Sequence, residues 1–267
     1  MKALVTGATG FVGSHLVDAL LTAGWTVTAL ARSASKAATL SERGVRVVAG
    51  HLHLQSALVE AIEGQDVVYH VAGAIAARCE ADFVAANREG TRNVVTAAMS
   101  ASPRFVLVSS LAAGGPSPRG APLDGSQSPR PVTAYGRSKL EAERVVRESP
   151  LRWSIVRPPV VYGPRDREVF KVFRLVRLSL APVFGDGTQE LSAVHAVDLA
   201  RALVAVGTST RSEGQIYHAC HPEIFTSAGF VQSVAEAMGR RVRIVRVPAG
   251  VGRTLLRLTE AGARLTG

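Results

Sequence analysis

Tyr135 and Lys139, in the run Tyr135-Gly136-Arg137-Ser138-Lys139, are suited by type and spacing to moving a proton. On a helix, residues four apart share a face, so the phenol and the ammonium point the same way. A free tyrosine ionises at about pH 10, too high for efficient proton exchange at neutral pH. A neighbouring cation favours the phenolate, so Lys139 is expected to bring that value down and make Tyr135 a general acid or base. A Tyr and a Lys four apart are commonplace on helices, so the pair needs company. Ser109 and Ser110 supply it, because they close the apolar run that starts at Phe105. If that run is a strand of a parallel sheet, its carboxyl end is where ligands bind, and a serine hydroxyl there can hold a carbonyl or hydroxyl oxygen.

A second constellation lies at the start of the chain, Thr6-Gly7-Ala8-Thr9-Gly10-Phe11-Val12-Gly13. Gly7 permits a tight turn, Gly10 lets backbone approach a pyrophosphate, and Gly13 allows close packing of a helix on a strand. The helix that follows offers unsatisfied N–H groups and a partial positive charge to phosphates. The plain alternative is an ordinary glycine-rich turn, but the position between an apolar strand and a helix is the context a dinucleotide site requires. The next strand ends in Leu30-Ala31-Arg32-Ser33. A fold selective for NAD carries an acid near this position for the ribose 2′-hydroxyl, whereas an arginine accommodates a 2′-phosphate. Ala31 stands where the acid is expected, and Arg32 and Lys36 supply cations. NADP(H) is therefore favoured over NAD, the alternative being that Arg32 is simply solvated surface.

The elements that must position these groups alternate strand and helix. Apolar runs at Ala3–Thr6, Thr26–Ala31, Val45–Ala49, Val67–Val71, Phe105–Ser109 and Ser154–Arg157 read as strands. Helical spacing is seen at Phe11–Ala23, Ser35–Glu42, Ser56–Ile62, Ala81–Ala101 and Ala134–Glu148. Val- and Leu-rich strands alternating with helices imply a parallel sheet covered on both faces. The fold class expected is α/β, a Rossmann-type doubly wound parallel sheet of seven strands with a small mixed C-terminal cap. Past about Pro164 the alternation breaks down. A basic amphipathic segment, Val169–Leu180, is followed by helices near Val197–Val206 and Ser227–Met238 and strands near Gln215–Ala219 and Arg243–Val247. Residues 1–164, with contributions returning from about 193–219, are expected to form the cofactor-binding domain, and 165–267 mainly the substrate-binding cap. The stretch Gly114–Thr133, rich in glycine and proline, is long for a connection and reads as either a functional lid or a disordered segment.

Composition narrows the function classes. With 47% hydrophobic and 19% charged residues, the chain can bury a core. No apolar run approaches the roughly 18 residues of a spanning helix, and MKALVTGATG enters a strand and a glycine turn at once, without the pattern of a secretory leader. Cys79 and Cys220 make neither a disulfide framework nor a zinc site, so a cytoplasmic location is expected and no metal. The net charge of +10 rests on arginine, since Lys2, Lys36, Lys139 and Lys171 are the lysines among 31 basic residues. Low aromatic content and scattered arginines argue against nucleic acid. A small-molecule substrate is the expected partner, and a homodimer is compatible with the sequence.

Taken together, these residues resemble the short-chain dehydrogenase/reductase superfamily, in its extended branch, the NAD-dependent epimerase/dehydratase family. The resemblance runs through the glycine turn, Asn87 in Ala86-Asn87-Arg88-Glu89-Gly90-Thr91, the Ser109-Ser110 pair and the Tyr135–Lys139 pair. It continues through Arg157-Pro158-Pro159-Val160-Val161-Tyr162-Gly163-Pro164 and Val194-His195-Ala196-Val197-Asp198. It implies that Ser110, Tyr135 and Lys139 are catalytic, with Ser109 in support. Cofactor contacts implied are Gly7, Gly10, Phe11 and Val12 at the pyrophosphate and Arg32 at the adenosine ribose. Val71, Ala72 and Gly73 would run along the cofactor, with Pro158 and Val160 near the nicotinamide. Asn87 is either a further contact or a turn residue; Asp198 is expected to cap a helix, His195 to be structural, and His70 to be a packed strand residue.

Two departures stand out. Where the family has Asp-Leu after the third strand, this chain reads His51-Leu52, which weakens the adenine contact while Leu52 can still pack on the ring. The tail Val251–Leu265 is apolar and basic at helical spacing, and is expected to dock on the body, touch a membrane surface, or begin a further region. Three functions follow: an NADP(H)-dependent reductase or dehydrogenase acting on a hydroxyl/ketone pair, similar to dihydroflavonol reductases and 3β-hydroxysteroid dehydrogenases; a nucleotide-sugar epimerase or dehydratase with retained NAD; and a non-catalytic dinucleotide-binding scaffold. Retention of Ser110, Tyr135 and Lys139 argues against the third, and Arg32 against the second.

Overall fold

The computed structural model describes residues 1–32 and 34–248. The chain divides into two units, Met1–Pro159 with Ala196–Ala219, and Val160–His195 with the residues from Cys220 onward. The first is built on a seven-stranded sheet in which every pairing is parallel. Its strands are β1 (Lys2–Thr6), β2 (Thr26–Ala31), β3 (Arg46–Ala49), β4 (Val67–His70), β5 (Arg104–Val108), β6 (Arg152–Arg157) and β10 (Gln215–His218), in the order β10-β6-β5-β4-β1-β2-β3. The order reverses between β1 and β4, which is the switch point where doubly wound sheets bind ligands. Helices α3 (Gln55–Ile62), α5 (Gly90–Ala98) and α7 (Ala134–Arg147) bury Leu58, Ile62, Val94, Val95, Val145 and Val146 against Leu4, Val68, Phe105 and Ile155. Helix α1 (Phe11–Thr22) packs beside α9 (Ala196–Thr208), the two burying Leu16, Val17, Leu20, Leu199 and Leu203. Burial on both faces explains why β1, β2 and β4 read as unbroken apolar runs.

Two local features depart from the sequence expectation. The single helix expected over Ala81–Ala101 is α4 (Glu80–Phe83), a π-helical turn at Val84–Glu89, and then α5. Periodicity does not reveal the wider turn, which inserts a residue without breaking the helix. In the second unit, the basic amphipathic segment Val169–Leu180 is helical over α8 (Phe170–Arg177), and the chain turns at Ser179, φ 59°, into β8 (Leu180–Phe184). Pro182 disguises that strand. It pairs with β12 (Arg243–Val247), and their inner face packs with α8 and α10 (Ser227–Ala237) through Val176, Ala181, Val183, Val231 and Val234. A second small sheet, β11 (Ile224–Thr226), β9 (Glu190–His195) and β7 (Val160–Tyr162), is mixed, with one antiparallel and one parallel pairing. The Val251–Leu265 tail lies outside the described residues.

Candidate functional site

The glycine turn joins β1 to α1 at the carboxyl edge of the sheet. Gly7 sits at φ 74°, and a Cβ there would lie 2.8 Å from the Ala72 nitrogen, so turn and β4 loop touch through backbone alone. A Cβ on Gly13 would lie 2.1 Å from the Gly7 carbonyl oxygen, which is why α1 can start against the strand. Gly10 caps α1 without a side-chain hydrogen bond, and the first turn carries no acid. The amides at this end are thus uncovered by the chain's own side chains, the cradle a pyrophosphate fits. Phe11 and Val12 open the helix there. Val71, Ala72 and Gly73 follow β4, the Ala72 amide donating to the Thr6 hydroxyl at 3.2 Å.

On the other side of β1, Arg32 follows β2 directly and is exposed. Lys36 falls on α2 (Ala34–Ser41), its side chain outside the described part. Leu52, after β3, is half-buried against Gly90, and its carbonyl accepts from the Asn93 side-chain Nδ2 at 2.9 Å. Asn87, on the π-helical turn, spends its carboxamide on the chain itself. Its Oδ1 accepts from the Ala74 amide at 2.8 Å, and its Nδ2 donates to the Ala74 carbonyl at 3.1 Å and to the Ser138 hydroxyl at 2.9 Å. It fixes the loop after β4 to α7.

Ser110 lies just past the end of β5 and caps the short helix α6 (Leu111–Gly114), its Oγ accepting from the Ala112 amide at 3.2 Å. The same side chain hydrogen-bonds to Tyr135. The Tyr135 ring packs against Phe83 with centroids 5.9 Å apart. Lys139, buried one turn further along α7, donates from Nζ to the Val108 carbonyl at 2.8 Å. The structure therefore brings Ser110, Tyr135 and Lys139 to one place, but the electrostatics differ from expectation. Burial pushes the Tyr135 phenol above its ordinary value, opposed by the Ser110 hydrogen bond. The Lys139 ammonium is spent on a carbonyl, and desolvation, offset by Glu143, lowers it to about 8. Removal from water outweighs the cation that the four-residue spacing promised.

Of the remaining residues, Pro158 is buried and its carbonyl accepts from the Leu111 amide at 3.0 Å, while Val160 opens β7 in the second unit. Asp198 is not a cap; it lies in the first turn of α9 and pairs with Arg201 at 3.3 Å. His195 stacks edge-on to Tyr162, centroids 5.4 Å apart. The Gly114–Thr133 segment is tied at its base, the Arg130 amide donating to the Gly114 carbonyl at 2.8 Å. His218 Nδ1 meets the Leu123 carbonyl at 3.1 Å, which fixes its middle to β10. Among the described residues no His, Cys, Asp or Glu cluster of metal-binding size occurs, and no helix is long and apolar enough to cross a membrane.

Sequence reasoning missed Glu143 and Arg157, which form an ion pair with side chains 0% and 3% exposed beneath the site. A signal existed: an arginine closing an otherwise buried apolar strand, and a glutamate one turn past Lys139 on its buried face. A parallel sheet with a glycine cradle at its switch point, and a Ser–Tyr–Lys group two strands away, defines a nucleotide-cofactor oxidoreductase of the α/β class. Residues 3–220 match the model of the NAD dependent epimerase/dehydratase family, and the chain belongs to that family. It is 34% identical to a ceramide reductase of Caulobacter vibrioides over 98% of this chain and 78% of that one. It is 28% identical to a UDP-glucose 4-epimerase of Vibrio cholerae over 92% of this chain and 78% of that one. Among solved structures, MoeE5 in complex with UDP-glucose and NAD is similar at TM-score 0.79 and 28% identity, over 93% of this chain and 86% of that one.

Proposed function

We propose that the protein is an NADP(H)-dependent reductase that interconverts a ketone and a hydroxyl on a lipophilic small molecule. The observation that carries this reading is the meeting of Ser110, Tyr135 and Lys139 at the end of β5, the phenol hydrogen-bonded to Ser110 and the ammonium held on the Val108 carbonyl. Burial makes this phenol a weaker acid than free tyrosine, so its proton transfer depends on the Ser110 hydrogen bond and the Lys139 charge favouring the phenolate as it forms. When bound, the nicotinamide supplies or accepts the hydride at the carbon. Ser110 holds the reacting oxygen, and Tyr135 gives it a proton as it becomes a hydroxyl. Lys139, still mostly an ammonium at neutral pH, lies on the same helix face to stabilise the phenolate left behind. Arg32 selects the 2′-phosphate. Residues 1–164, with 193–219, act as the cofactor-binding part and the remainder mainly as the substrate-binding part. The two exposed thiols fit a reducing, cytoplasmic compartment.

The lipophilic class is supported by the ceramide reductase relative and by a ketoreductase of Stigmatella aurantiaca whose substrate carries a farnesyl chain. The test is fluorescence titration with NADPH and NADH, followed by turnover on long-chain 3-ketones, aromatic ketones and UDP-glucose. NADPH-dependent reduction of a long-chain ketone is expected. The second reading, a nucleotide-sugar epimerase, is favoured by the likeness to MoeE5 and the Vibrio cholerae relative. Copurification of tightly held NAD with turnover of UDP-glucose would replace the first reading with the second.

A further inference from the structure

Among the described residues, the Glu143–Arg157 pair is the ion pair sealed from solvent at both ends. Glu143 lies on α7 one turn beyond Lys139 and two beyond Tyr135, and Arg157 is the last residue of β6. Arg157 donates from Nε to Oε1 at 2.8 Å and from Nη2 to Oε2 at 2.6 Å. The Ser109 hydroxyl donates to the same Oε1 at 2.5 Å. Consecutive residues of β5 and its exit therefore meet successive turns of α7. The Val108 carbonyl takes the Lys139 ammonium, the Ser109 hydroxyl takes the Glu143 carboxylate, and the Ser110 hydroxyl takes the Tyr135 phenol. The Ser109 amide also donates to the Val156 carbonyl at 2.7 Å, next to Arg157, so the contact ties β5, β6 and α7 together.

Stability gives weak reason for such a pair, since apolar side chains of similar volume often do as well or better in a core. We propose that Glu143, locked by Arg157, is a positioning residue: by anchoring Ser109 it fixes the register in which β5 presents Ser110 to Tyr135 and the Val108 carbonyl to Lys139. The proposal rests on the reading of Tyr135 and Lys139 as the proton-handling pair. The charged and titratable groups around Lys139 are Glu143 and Tyr135 on its own helix, Arg157 on β6 and His70 on β4. His70 is neutral near pH 7, desolvation and the Lys139 charge holding it at about 3. Arg157 is bound to Glu143, so Glu143 is the group that offsets desolvation of the ammonium.

The test needs no substrate. The chain has four lysines, so carbon-labelled lysine gives few NMR signals, and Lys139→Met assigns the one from Lys139. Phenolate absorbance, differenced against Tyr135→Phe in the same background, reports Tyr135. In Glu143→Gln, and in the double variant Glu143→Leu with Arg157→Met, Lys139 should titrate at lower pH than in wild type. The Tyr135 midpoint should rise as the Ser110 contact loosens. Ser109→Ala leaves the ion pair in place, so it should raise the Tyr135 midpoint while moving Lys139 little. A double variant that binds NADPH like wild type and keeps both midpoints overturns the proposal. Should the charge variants not fold, an unmoved Tyr135 midpoint in Ser109→Ala overturns it alone. A Tyr135→Phe protein that keeps full turnover defeats the reading of the site instead, and leaves these midpoints to judge the register.

Discussion

Protonation of His70 should dismantle the sheet edge between the glycine turn and the loop after β4, and the cost can be worked from the structure. The ring is buried between β1 and α5, with Nδ1 2.7 Å from the Thr6 hydroxyl and Nε2 3.0 Å from the Thr91 hydroxyl. Thr6 Oγ1 already accepts from the Ala72 amide, and Thr91 Oγ1 donates to the Asn87 carbonyl. A neutral ring with its hydrogen on Nε2, assigned from this network, satisfies every donor from the glycine strand to the π-helical turn. Desolvation, with the Lys139 charge as the lesser cause, holds the imidazole at about 3 against an ordinary 6.5. Across that window the unfolded chain binds a proton that the folded chain refuses, so stability is fully present above pH 6.5 and is lost as pH falls. At about 1.4 kcal/mol per pH unit, the whole window is worth roughly 4–5 kcal/mol, a large share of a typical folding free energy of about 5–15 kcal/mol. His70→Gln should cost about 1–2 kcal/mol near neutral pH through lost hydrogen bonds. Its urea stability should nevertheless fall less steeply with acid than that of wild type. NADPH affinity should follow the same divergence. Parallel stability slopes for the two proteins would refute the argument.

Arg32→Ala should weaken NADPH by roughly 10- to 100-fold and change NADH little, since a charge-assisted hydrogen bond to the 2′-phosphate contributes about 1.5–3 kcal/mol; equal losses in a fluorescence titration would remove Arg32 as the selector. Tyr135→Phe should lower kcat by about 10²–10⁴ in the turnover assay while sparing NADPH binding, because it deletes the proton donor and keeps the ring against Phe83. Gly13→Ala drives a methyl to within 2.1 Å of the Gly7 carbonyl oxygen, which backbone must yield to. It should destabilise the fold by about 1–3 kcal/mol and weaken both cofactors together, read by thermal unfolding and titration.

The first unit was legible because its physics is periodic. Strands buried on both faces read as unbroken apolar runs, and a parallel sheet admits few topologies once its crossovers are right-handed. The second unit lacks that regularity. β7 and β11 are three residues each and β9 is only partly buried, so neither alternation nor continuity marks them. β8 carries Pro182 immediately after an amphipathic helix, and the helix's pattern of Leu and Arg runs on into it. Only pairing with β12, 60 or so residues later, makes it a strand, and such a contact leaves no local trace.

The site divides along the same line. Gly7 and Gly13 of the first turn announce themselves because a side chain at either would collide with backbone. Type and spacing singled out Tyr135 and Lys139, and the family resemblance added Ser110, but spacing alone misjudged the electrostatics, since the four-residue rule assumes a helix face in water. Here that face is turned inward. Its polar residues, Tyr135, Lys139 and Glu143, meet the end of β5, while Ala142, Val145 and Val146 pack into the core beside it. Desolvation raises the phenol and lowers the ammonium to about 8, and the buried carboxylate is met by an arginine. A helix that buries an ammonium and a carboxylate must pair them with something, and the arginine that closes β6 is the partner the sequence displays without explaining.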